Sequence, residues 1–189
     1  MGRCMDCTEV DLSQEPALHE EAACVLMDAF LAKGNTAWST LERARETVAE
    51  CIAAPNHCLA ILCNGTLTGW GGLRPMYDKT WELHPLVVAP AHQGQGAGRA
   101  LMRALEQRAR TLGLNGIVLG SDDELFETSL SQVHITGGNA LVEMQRLTNL
   151  KRHPFEFYQK CGYSVVGMIP NANGKNKPDI WMWKDLTVE

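Results

Sequence analysis

The sequence predicts a mixed α/β fold with helices flanking one central sheet, on three observations. Apolar spacing switches repeatedly between a helical and a strand period. The pair Asn64-Gly65 sits between two apolar runs, the mark of a tight hairpin. A glycine-rich segment, Gln93 to Gly98, follows one apolar strand and opens an amphipathic helix.

The elements follow in order. A short strand is expected around Glu9 to Leu12, then a helix from Pro16 to Phe30. Ser39-x-x-Glu42 matches a capping box, so a second helix should begin near Ser39 and stop before Pro55. Cys58 to Cys63 and Thr66 to Leu73 form the hairpin strands. Trp81 to Val88 is a third strand with Pro85 inside it. Proline cannot donate to a ladder, so this strand should bulge or splay there. Gly98 to Leu112 puts Leu101, Leu105, Ala109 and Leu112 on one helical face and ends at Gly113. Gly116 to Gly120 is a short buried strand. His153 to Tyr163 is a helix closed by Gly162, and Val165 to Ile169 and Ile180 to Trp183 are the last strands. Glu124 to Leu150 is long for a loop, so it is an inserted element or a functional flap. Pro170 to Pro178 is a polar, turn-rich loop.

Composition bounds the function. At 189 residues the chain suits a single domain over residues 1–189 with its own core. With 17 basic and 22 acidic residues it carries a net charge of -5 and no dense basic run, which argues against nucleic acid and favours a small cationic ligand. No apolar stretch approaches a membrane span, and the N-terminus lacks a secretory core, so the expected location is cytoplasmic with no membrane partner. In a reducing compartment Cys24, Cys51, Cys58, Cys63 and Cys161 read as small buried hydrophobes. Cys4 and Cys7 form one Cys-x-x-Cys without a second pair, so no metal site is expected.

The glycine segment reads as a phosphate cradle. A helix N-terminus offers unpaired N–H groups and a positive dipole end, and glycines let a phosphate approach them. No Gly-Lys-Ser/Thr follows, so it is not a P-loop. A dinucleotide fingerprint would need a third glycine where Arg99 stands. The segment does match Gln/Arg-x-x-Gly-x-Gly/Ala, as Gln93-x-x-Gly96-x-Gly98.

With that motif the chain resembles the GNAT N-acetyltransferases. WELHPLVV, LGSDDE, SLSQ, NLKRHPFEFYQKCGY and PNANGKNKPDIWM further resemble the aminoglycoside 6'-N-acetyltransferases. The likeness covers residues 60 to 186 well and the N-terminal third loosely. It implies a GNAT fold, with a mixed sheet splayed at the acetyl-CoA site. It implies acetyl transfer from acetyl-CoA to the 6'-amine of an aminoglycoside, antibiotic resistance, and a homodimer to which Trp181 and Trp183 could contribute.

The chemistry assigns roles. The thioester must be held, its carbonyl polarised, the ammonium deprotonated and the thiolate met by a donor. The resemblance implies that the backbone of Leu86, Val87 and Val88 holds acetyl-CoA and that Gln93, Gly94, Gln95, Gly96, Ala97, Gly98 and Arg99 meet its phosphates. Glu82 and His84 share a face of an otherwise apolar strand. Glu82 is the candidate base, direct or through water, and the main carboxylate for the ammonium; His84 assists or holds that water. Asp122 and Asp123 end a strand where α/β proteins place ligands, and with Asp179 they would bind ammonium groups. The alternative for the pair is a capping role. Tyr158 matches the family tyrosine near the sulfur and would protonate the thiolate. Gln93 and Gln95 stand where many relatives carry basic residues. A GNAT enzyme for another small amine or a protein lysine fits the same features, and a CoA-binding module without turnover would lack a use for Glu82 and Tyr158.

Overall fold

The computed structural model describes residues 7–188. The architecture is mixed α/β, as expected, with seven strands and five α-helices among the described residues. The chain divides into two compact units, one ending at Ile117 and the other beginning at Val118.

In the first unit the strand order is β1 (Cys7–Asp11), β2 (His57–Cys63), β3 (Thr66–Pro75), β4 (Thr80–Val88), each antiparallel to the next. Asn64 and Gly65 both adopt positive φ, 52° and 79°, which is the backbone a two-residue hairpin turn demands. Helices cover both faces. On one, α1 (His19–Leu31) and α2 (Leu41–Ile52) bury Ala22, Val25, Leu26, Ala44 and Val48 against Cys58, Leu67 and Trp70. Trp70 is fully buried, and its indole N–H donates to the carbonyl of Ala22 at 2.8 Å, so its one polar atom is satisfied. On the other face lies α3 (Ala97–Thr111), whose Leu105 reaches Gly71.

Three local expectations are corrected. The cap of α2 is Thr40, whose hydroxyl accepts from the Arg43 N–H; Ser39 is one residue too early, so the capping box is not formed. The 16–30 helix begins as a 3-10 turn over Pro16–Leu18 and becomes α-helical only at His19. Cys63 is not a free hydrophobe: it faces Cys7 across the β1–β2 ladder, and the two form a disulfide. Cys4, half of the Cys-x-x-Cys pair, lies outside the described residues. Cys51 and Cys58 are buried as expected, and burial pushes both thiols up, Cys51 to about 12, so they stay neutral.

In the second unit the strand order is β5 (Gly116–Asp122), β7 (Asp179–Asp185), β6 (Ser164–Ile169). The helix expected over 153–163 is shorter: α5 runs Phe155–Lys160 and ends in a turn through Gly162, φ 91°, where Tyr163 N–H reaches the Tyr158 carbonyl. The 124–150 segment is an inserted element closed at its base. Thr128 bridges Asn149, and Leu150 N–H donates to the Glu127 carbonyl at 2.7 Å. Between these ends it holds a 3-10 turn and α4 (Ala140–Gln145). Among the described residues no helix is long and apolar enough to cross a membrane.

Candidate active site

The glycine loop has the form expected of an anion cradle. Gly94 and Gly96 take φ of 74° and 93°, and nothing lies within 4 Å of where either Cβ would be. The two glycines are required by backbone conformation, not by crowding. Gly96 is the N-cap of α3, with no side-chain cap and no acidic residue in the first turn. The helix therefore presents uncapped N–H groups and an uncompensated dipole end. Gln93 and Gln95 do not point their amides outward. Gln93 donates to the Val88 carbonyl at 3.0 Å and Gln95 to the Ala91 carbonyl at 2.8 Å. They brace the loop, which leaves the backbone and the exposed Arg99 to meet an anion.

The strand before the loop bulges where the proline predicts. Gly71 pairs with Leu86 and Leu73 with Leu83, so β4 carries one extra residue opposite β3, at His84–Pro85. The His84–Pro85 peptide is cis. β3 makes room with glycines. A Cβ at Gly69 would lie 2.6 Å from the Val87 carbonyl oxygen, and one at Gly72 would lie 2.7 Å from that of His84. The run Gly69-Trp70-Gly71-Gly72 carries that signal in the sequence, and sequence reasoning passed over it.

Glu82 and His84 both remain partly exposed while Leu83, Pro85 and Val87 are buried, so the carboxylate–imidazole face exists. Its surroundings were not foreseen. Glu82 is not alone: Arg74, its register partner on β3, donates from Nε to Oε2 at 2.7 Å. The Glu82 side chain is 17% exposed and that of Arg74 45%. The His84 ring lies 6.1 Å from that of Trp38, whose indole N–H is tied to Thr47 at 2.7 Å. A cavity of about 120 Å³ opens beside this face, lined by Glu50, Cys51, Asn56, Arg74 and His84 with Gly72 and Leu73. The neutral Cys51 thiol points at the His84 carbonyl, 3.6 Å away, and is no nucleophile.

The acidic residues of the second unit divide. Asp122 is exposed and accepts from the Asn173 amide, which anchors the 170–178 loop to it. Asp123 has no exposed surface. It accepts from Glu127 N–H at 2.6 Å and from Thr128 N–H and Oγ at 2.9 and 2.7 Å. The capping alternative thus describes Asp123, and its carboxylate has no face left for a substrate. Asp179 lies against Gly120, where a Cβ would meet both carboxylate oxygens at 2.8 Å. His153 is buried. It accepts from Phe155 N–H at Nδ1 and directs Nε2 at the Asp122 carbonyl, 3.1 Å away, so it holds the strand end that carries the acids. Tyr158 is half-buried beside Phe157 and Tyr163, and burial pushes its phenol up from the ordinary value, keeping it protonated. Among the described residues no cluster of three or more histidine, cysteine or carboxylate side chains could hold a metal ion.

The Acetyltransferase (GNAT) family matches residues 20–128, which is more than half of the chain and includes β4, the glycine loop and α3. The chain belongs to the GNAT acetyltransferase family. This GNAT chain is similar over nearly its whole length to solved aminoglycoside 6'-N-acetyltransferases. One, complexed with coenzyme A, is 33% identical with a TM-score of 0.84 over 96% of this chain and 97% of that one. Another, from Enterococcus faecium, is 33% identical with a TM-score of 0.85 over the same shares. A curated relative, the N-alpha-acetyltransferase RimI of Mycobacterium tuberculosis, is 34% identical over 93 residues. That match takes in 46% of this chain and spans about half, 54%, of the relative.

Proposed function

We propose that this GNAT acetyltransferase transfers the acetyl group of acetyl-CoA to the 6'-amine of an aminoglycoside and so confers antibiotic resistance. The observation that carries the reading is the 33% identity, over 96% of the chain, to an aminoglycoside 6'-N-acetyltransferase complexed with coenzyme A. The loop supports the cofactor half: uncapped N–H groups at Gly96–Gly98, two glycines at positive φ and Arg99 suit a pyrophosphate. The backbone of Leu86–Val88 would hold the pantetheine arm and polarise the thioester carbonyl.

In this reading Glu82 takes the proton of the acceptor ammonium, directly or through a water held by His84. The freed amine forms the N–C bond at the carbonyl, the nitrogen gives up its second proton to solvent, and the C–S bond breaks. The thiolate takes a hydrogen bond or a proton from Tyr158, and the upward push that burial gives the phenol favours the hydrogen bond over full transfer. Asp122 and Asp179 would offer carboxylates of the second unit to further ammonium groups. Asp123 serves as scaffold.

The match to RimI favours a second reading, an amine at the N-terminus of a peptide. A thiol-release assay separates the two. Kanamycin should be turned over rapidly, and its 6'-hydroxyl counterpart and a peptide with a free N-terminus should not. Turnover of the peptide alone would replace the acceptor.

A further inference from the structure

The reaction just described gives Arg74 no part, yet Arg74 is paired with the carboxylate that reaction needs. Arg74 and Glu82 are cross-strand partners on β3 and β4, joined at 2.7 Å through Nε and Oε2. The pair is lopsided: the carboxylate is the more buried partner and the guanidinium the more exposed one. The guanidinium also borders the cavity that His84, Glu50 and Asn56 line. Any ammonium that reaches Glu82 therefore meets a carboxylate already neutralised, with a fixed positive charge beside it.

We propose that Arg74 is a specificity-determining and positioning residue: it competes with the acceptor ammonium for Glu82, and it holds one carboxylate oxygen so that the other faces the acceptor. This rests on the reading of Glu82 as the acceptor's carboxylate. Two effects follow with opposite signs. The competing charge weakens the binding of cationic acceptors, most for those with several ammonium groups. The hydrogen bond orients the base, and orientation raises turnover. Glutamine at position 74 removes the charge but carries an amide N–H where the arginine Nε stands; lysine keeps the charge and loses the planar fork that orients the carboxylate.

The experiment compares wild type, Arg74→Gln and Arg74→Lys, each saturated with CoA, for kanamycin binding by calorimetry, and then for turnover with acetyl-CoA. Arg74→Gln should bind kanamycin about 5-fold more tightly, the worth of a partly exposed pair. Arg74→Lys should keep the wild-type affinity and turn kanamycin over about 5-fold more slowly, and the KM for acetyl-CoA should stay put in all three. Unchanged or weaker kanamycin binding by Arg74→Gln overturns the proposal, and so does equal tightening by Arg74→Lys. A wild type that binds kanamycin without acetylating it breaks the proposed function and leaves the binding comparison standing. A wild type that acetylates kanamycin while Arg74→Gln behaves identically breaks the Arg74 proposal alone. Failure of all three proteins to bind kanamycin overturns both.

Discussion

The glycine loop and the Glu82–His84 face lie about ten residues apart in one unit, yet they are built in opposite ways. The loop is made by its own residues: Gly94 and Gly96 supply the backbone turn, open space surrounds them, and Gln93 and Gln95 brace carbonyls only four or five residues away. The face is made by others. Arg74 and Gly72 come from β3, Cys51 from α2, and Trp38 from the segment before α2. A self-contained turn can be damaged one residue at a time with local results. A face assembled from distant segments should transmit damage from any of them.

The largest expected effect tests whether the face is chemical at all. Glu82→Gln should lower kcat/KM by roughly 10²-fold or more, as loss of a general base does. An unaltered rate and pH profile would leave the carboxylate as a partner of Arg74 only. A pair of glycine substitutions sharpens the comparison itself. Gly72→Ala drives a Cβ to within 2.7 Å of a backbone carbonyl on β4, so a strand must shift. It should cost about 3 kcal/mol, seen as a drop in Tm of about 6 °C or more, and raise the acceptor KM. Gly94→Ala meets no atom and costs only its left-handed backbone, about 1 kcal/mol. Its effect should fall on the KM for acetyl-CoA, with the acceptor KM unmoved. Equal effects from the two glycines would erase the distinction between the regions.

The smallest effect lies away from both. His57 accepts from Arg108, which is paired with Asp11 at 3.0 Å. Burial first, and then the Arg108 charge, lower the His57 pKa. The folded state then binds fewer protons than the unfolded chain below about pH 6.5, so stability is full above that value and falls as pH drops toward the folded pKa. For Asp11, burial works upward, but hydrogen bonds from Ser13 and Arg108 outweigh it and lower the pKa. Its contribution is present above the ordinary carboxylate value and lost at more acid pH. His57→Asn should therefore flatten the decline of Tm between pH 7.5 and 5.5 while leaving the Asp11 loss, at more acid pH, in place. An identical decline in the variant would assign it to other groups.

Much of this was legible without coordinates, because much of it is local. The Asn64-Gly65 turn, the Pro85 bulge, the apolar face of α3 and the glycine cradle each depend on residues within a few positions of one another. Steric rules for glycine and proline, and the period of an apolar face, act at that range. Errors arose where two local solutions were nearly equivalent. Ser39 and Thr40 are both good caps, and Thr40 is the one whose hydroxyl accepts from the Arg43 N–H. Asp122 and Asp123 are the same residue type side by side, and the tertiary fold sent one to solvent and one to three buried donors. β5 ends at Asp122, so Asp123 is placed by the start of the 124–150 segment, whose Glu127 and Thr128 donate to it, and not by strand alternation.

What the sequence determined by itself, then, is the order of elements, the glycine turn that opens α3 and the residue types that share each strand face. What only the tertiary structure decided is their partners: Arg74 on Glu82, Trp38 beside His84, Cys7 joined to Cys63, and Asp123 spent on the 124–150 turn. The physical reason is range. Backbone conformation answers to neighbours along the chain, whereas a side chain's charge and hydrogen-bond partner are set by whichever residues folding brings within about 3 Å of it.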